Sequence, residues 1–175
     1  MKKVILLICI CGVLFSCKTE TEKNIEETDK LIQEVKVQGE AEQRTKEILE
    51  KSSKEFYTDT TGMGSSPVIV YKSKLVEKEY TNYKDIKLYY KNISKKNISA
   101  IRFEWYGENA FNEPADMGSY SVLGVGGGFT DDVLRVGASS SGVWEISSKD
   151  GKKIISARAY EVVFNDGSKW QLRKK

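Results

Sequence analysis

Beyond Pro67, apolar residues recur at every second position, and that spacing commits the region to strands. Ile86, Leu88 and Tyr90 alternate with Lys87, Tyr89 and Lys91; further on, Ile101, Phe103 and Trp105 alternate with Arg102, Glu104 and Tyr106. Successive side chains of a strand leave opposite faces, so the pattern describes one buried side and one solvated side. The polar stretch 92–97 between these segments predicts a hairpin joining them. Shorter β-prone runs lie at 68–71, 120–125, 133–136 and 143–146. A longer one at 154–164 leads into the turn Asn165-Asp166-Gly167-Ser168 and returns through 169–172. No helical periodicity of any length interrupts them. About seven short strands in about 109 residues, with frequent turns, predict an all-β domain: an antiparallel β-sandwich.

The stretch 18–55 has another texture. It carries eight Lys or Arg against eleven Asp or Glu and no aromatic residue. Ile25, Leu31, Ile32, Val35, Ile48 and Leu49 fall at roughly helical spacing, with the register lost around Gly39. The firmest helix is 45–56, where Glu47 precedes Lys51 by four residues, the favourable order. Gly39 and Glu42 occupy positions that a coiled coil needs apolar, so no oligomerising rod is expected. The reading is a partly helical, partly disordered charged stalk, followed by a Gly/Ser/Thr-rich linker over 57–66. As flexible coil the segment from 18 to 66 would span on the order of 40 Å. As a helix through Phe56 it would reach about 60 Å.

The N terminus reads as an address. Lys2 and Lys3 precede an apolar run from Val4 to Phe15, long enough for a signal-peptide core and too short to span a bilayer. Leu14-Phe15-Ser16-Cys17 resembles the lipobox of bacterial lipoproteins. The resemblance implies cleavage between Ser16 and Cys17, a thioether-linked diacylglycerol on the Cys17 sulfur, and acylation (palmitate or a similar chain) of the new amino terminus. Cys9 and Cys11 would leave with the peptide. The start Cys17-Lys18-Thr19-Glu20-Thr21-Glu22 is similar to that of many Bacteroidota lipoproteins, some of which use acidic residues after the Cys as a surface-export signal. The chain thus divides into a removed signal peptide (1–16), a lipidated Cys with tether and linker (17–66), and the β-domain (67–175). Two or three acyl chains would hold the mature protein on a membrane, with the outer membrane expected and the domain facing periplasm or exterior.

A second resemblance concerns the domain. Ile86-Lys87-Leu88-Tyr89-Tyr90-Lys91-Asn92-Ile93-Ser94 is similar to the opening of FxLYD-type and related bacterial immunoglobulin-like domains. Val162-Val163-Phe164-Asn165-Asp166-Gly167-Ser168-Lys169-Trp170 resembles their closing hairpin. Tyr106-Gly107-Glu108 departs from the aromatic-Asp-Gly usual after the second strand. The resemblance implies an immunoglobulin-like sandwich and little chemistry.

Composition narrows the chemistry further. The chain has no histidine, and its three cysteines all lie within the first 17 residues. The domain therefore has no imidazole acid/base group, thiol nucleophile, disulfide or thiolate metal site. Asp131, Asp132, Asp150 and Asp166 lack the alternating acids of a calcium loop and read as turn residues. Glu104 and Glu108 read as exposed strand charge rather than a glycosidase pair. Asn92-Ile93-Ser94 and Asn97-Ile98-Ser99 read as turns, and Ser139-Ser140-Ser141-Gly142 as a loop. Gly124-Val125-Gly126-Gly127-Gly128-Phe129 fits neither the Walker nor the dinucleotide pattern and reads as a mobile loop or bulged strand end. On a sandwich rim such a loop moulds to a partner, so Gly126, Gly127, Gly128 and Phe129 are the first contact residues nominated. Trp105 is expected in the core, leaving Tyr89, Tyr106 and Tyr120 as outward aromatics.

The expectation is a non-enzymatic, membrane-anchored binding or envelope-scaffold module with no cofactor and no metal. Its partners would be the membrane, through Cys17, and an envelope protein or glycan. With a formal net charge of +3 there is no case for nucleic acid. An accessory lipoprotein docking onto a periplasmic or outer-membrane complex is the alternative, and a carbohydrate-directed hydrolase the third. Oligomeric state is left open by the sequence.

Overall fold

The computed structural model describes residues 20–119 and 121–172, with side chains from Asn24 onward. The stretch 1–16 read as a signal peptide, Cys17 and Tyr120 lie outside the described residues. The chain divides into two units at Lys46/Glu47.

Helix α1 (Glu20–Thr58) is continuous, running through Gly39 without a break. In the first unit its described residues form one exposed helix, on which Glu26 and Lys30 pair four positions apart at 3.7 Å. The predicted loss of register at Gly39 does not end the helix. A single glycine costs about 1 kcal/mol against alanine, which a long charged helix with favourable four-apart pairs absorbs. Among the described residues, no helix is long and apolar enough to cross a membrane.

The second unit holds the last turns of α1 and seven strands: β1 (Val68–Glu77), β2 (Lys84–Asn92), β3 (Ile98–Glu108), β4 (Val125–Thr130), β5 (Ser139–Ser148), β6 (Lys153–Phe164) and β7 (Lys169–Gln171). They form two antiparallel sheets, ordered β1-β2-β5 and β4-β3-β6-β7. Both sheets contribute to one core. Ile86, Leu88 and Tyr90 enter from β2, Ile101, Phe103 and Trp105 from β3, and Ala159 and Val162 from β6. The alternation in the sequence therefore assigns the buried faces of β2 and β3 correctly, and the closing hairpin β6–β7 forms with Gly167 at φ 78°.

The pairing of β2 with β3 does not form. The two strands belong to different sheets: β2 pairs with β1 and β5, and β3 with β4 and β6. The intervening polar stretch is a crossing between sheets, fixed by the fully buried Asn92. Its amide donates to the Lys96 and Leu134 carbonyls, and its oxygen accepts from the Ser94 N–H and hydroxyl. The run at 133–136 is no strand, touching β3 only through the Leu134–Ile98 bridge. Residues 139–142, read as a loop, are the first part of β5.

Candidate functional site

Glycine placement at β4 follows from tryptophan packing. Trp105 donates its indole N–H to the Met117 carbonyl at 3.0 Å, and Trp144 donates to the Phe129 carbonyl at 3.0 Å. Trp144 lies 5.2 Å from the Phe103 ring and 6.1 Å from that of Trp105. A methyl group at Gly126 would collide with Met117 O and the Trp105 indole, and one at Gly128 with the Trp144 indole. The glycine-rich run is thus neither loop nor phosphate cradle. Gly126, Gly127, Gly128 and Phe129 sit in an edge strand, paired in that order with Trp105, Glu104, Phe103 and Arg102 of β3. Phe129 is exposed and Gly126 is buried.

Tyr106 is not an outward aromatic. It is 1% exposed, and its ring lies where a side chain at Gly124 would be. Burial raises its phenol pKa, with the Glu108 and Glu50 carboxylates adding to the rise. Glu104 and Glu108 are also buried rather than exposed. Tyr106 lies against Gly124 and Pro114, whereas the two acids lie where the last turns of α1 meet the outer side of the second sheet, which a sequence pattern treats as solvated. Lys54 pairs with Glu108 at 2.5 Å. Arg158, buried on β6 directly opposite Glu104, donates its Nε to Glu104 at 2.7 Å. The same guanidinium donates to the Phe56 carbonyl at 3.0 Å and to the Asp59 carbonyl, and the Ser156 hydroxyl donates to Tyr57 O. A cation at these carbonyls satisfies groups that a helix end leaves without intrahelical partners.

Beside this clasp lies a cleft of about 700 Å³, bordered by Tyr57, Glu104, Ser119, Gly127, Tyr160 and Gln171. Nothing in the sequence nominates Tyr57, which stands in a stretch with the composition of a linker, nor Tyr160 or Gln171. The Tyr57 phenol pKa is raised by burial first, then by Glu104 and Tyr160, with Arg158 opposing. The cleft therefore combines phenols, a carboxamide, two serine hydroxyls and the open backbone of an edge strand. Its carboxylate is neutralised by Arg158. Of the nominated contacts, Gly126 and Gly127 line it. Tyr89 lies in the other sheet, on β2.

Of the carboxylates read as turn residues, Asp132 and Asp166 accept bonds from residues two positions away, whereas Asp150 ties its bend to an amide 34 residues earlier. Asp166 accepts from the Ser168 N–H and hydroxyl, Asp132 from the Thr130 hydroxyl, and Asp150 from the Asp116 N–H. Among the described residues, no three acids cluster as a metal site would require.

No protein-family model and no curated protein matches the chain. Among solved structures, the chain is similar to a hypothetical protein from Peptoclostridium difficile 630, at 12% identity and a TM-score of 0.45, with 61% of this chain and 87% of the other covered.

Proposed function

We propose that the protein is a bacterial lipoprotein, acylated at Cys17 after loss of residues 1–16, that presents an immunoglobulin-like recognition module on the outer membrane. The fold reading is supported by strand order. If β1, β2, β3, β5, β6 and β7 are taken as the A, B, C, E, F and G strands of such a sandwich, β4 occupies the place beside C that variable-type domains give to C′. The recognition reading rests on the cleft at Tyr57, Tyr160 and Gln171. It offers neutral hydrogen-bonding groups and aromatic surface, while Glu104, its carboxylate, is committed to Arg158. Such a lining suits an uncharged polar ligand of the envelope, a glycan strand or an extended peptide, bound without chemical change.

Two experiments test the parts separately. Labelled palmitate should enter the wild-type chain and not Cys17→Ala; equal incorporation would sink the anchor. A photoreactive amino acid at Ser121, on the cleft wall, should capture a discrete adduct in intact cells, whereas one at the exposed Val136 should not. Equal labelling from both positions would remove the cleft as the recognition site.

A further inference from the structure

The outer face of the β1-β2-β5 sheet is built unlike the rest of the surface. Cross-strand partners fall into three rows: Ile69–Lys91–Ser139, Lys72–Tyr89–Ser141 and Lys74–Lys87–Val143. These rows contain four lysines and no acid. Lys74 and Lys87 stand directly opposite each other, an arrangement that costs stability in an antiparallel pair. The acids of this sheet, Glu77, Asp85 and Glu145, are gathered toward its far end, where Lys78 pairs with Asp85 and Glu145. Tyr89 lies at the centre of the rows, with the Lys72 and Lys87 ammonium groups 5.5 and 5.3 Å from its ring centroid and Tyr71 6.3 Å away. Ile69, Tyr71 and Val143 are exposed by 45%, 55% and 54%.

We propose that this face docks the domain on an anionic phospholipid surface. Four unneutralised lysines on one sheet face complement a layer of negative headgroups, and each such lysine near the surface strengthens binding about fivefold. The partly exposed tyrosine and aliphatic side chains between them suit the headgroup boundary, where amphipathic rings concentrate. A sheet face also matches an extended surface better than a single chain, which a groove would hold. The inference uses residues remote in sequence from Cys17 and does not depend on acylation.

The test is lysine acetylation of the full wild-type chain, read residue by residue by mass spectrometry. It is run with vesicles of phosphatidylcholine alone and of phosphatidylcholine mixed equally with phosphatidylglycerol. Lys72, Lys74, Lys87 and Lys91 should react several-fold more slowly with the anionic vesicles, and high salt should erase the difference. Lys95 and Lys152, exposed elsewhere, should be unaffected. The ratio of partitioning between anionic and neutral vesicles should fall about fivefold in Lys74→Gln. Identical rates on both vesicles overturn the proposal, as does equal slowing of Lys95 and Lys152. Protection by dextran sulfate but not by anionic vesicles also overturns it, in favour of a polyanionic chain.

Discussion

Arg158 is the residue on which most depends, because one guanidinium neutralises Glu104 and closes the end of α1 at the Phe56 and Asp59 carbonyls. Removing Glu104 alone, as Glu104→Ala, leaves that charge buried and should cost about 3–5 kcal/mol in urea unfolding. Replacing both partners with apolar residues should recover only part of the loss, because the helix carbonyls then lack their donor. The two perturbed phenols give a second residue-scale expectation. Tyr57 and Tyr106 have raised folded-state pKa values, mainly through burial. Their contribution to stability is fully present below the unfolded tyrosine pKa and is lost as pH rises through the folded one. Tyrosinate absorbance should show a late-titrating fraction, and Tyr57→Phe should remove part of it. At the acid end, Asp166 is held below the usual carboxylate range by Lys96 and by Ser168. What it contributes to the last turn is present above the unfolded carboxylate pKa and is lost as pH falls through the folded value.

Among the elements, β4 and α1 show two opposite uses of glycine. In β4, Gly126 leaves room for the Trp105 indole, so Gly126→Ala should destabilise the domain by about 1–3 kcal/mol and perturb tryptophan fluorescence. In α1, Gly39 has nothing within 4 Å of where a side chain would be. Gly39→Ala should therefore stabilise the helix by about 1 kcal/mol, read as a later loss of helical circular dichroism on heating. A fall in helicity would contradict the continuous helix.

Across the whole molecule, the two sheets have differently used outer faces. That of the β4-β3-β6-β7 sheet is partly closed by the end of α1, with the cleft opening beside the closure. That of the β1-β2-β5 sheet keeps its lysines and Tyr89 toward solvent. A chain carrying Arg158→Met should lose the closure and, with it, the Tyr57 wall of the cleft. Hydrogen exchange at 54–59 should then accelerate, while β2 amides, in the other sheet, keep their protection.

The β character of the domain, the core-facing sides of β2 and β3, the closing hairpin and the core position of Trp105 are written in the residue pattern. These follow from a period of two, a turn with glycine at the required backbone position and apolar surface that must leave water. Helix in 45–56 was equally legible, from spacing. Partnership was not. The turn after Asn92 looks like a hairpin loop because a polar stretch has the same composition whether it reverses a strand or crosses to another sheet; only the bonds of the buried Asn92 amide to the Lys96 and Leu134 carbonyls decide. Glu104, Glu108 and Tyr106 alternate as solvent-facing residues should, yet they are buried: a segment some fifty residues earlier meets Glu108 and Arg158, the partner of Glu104, and Gly124 and Pro114 lie against Tyr106. Alternation reports which side of a strand a residue leaves, and only the tertiary structure decides what waits on that side.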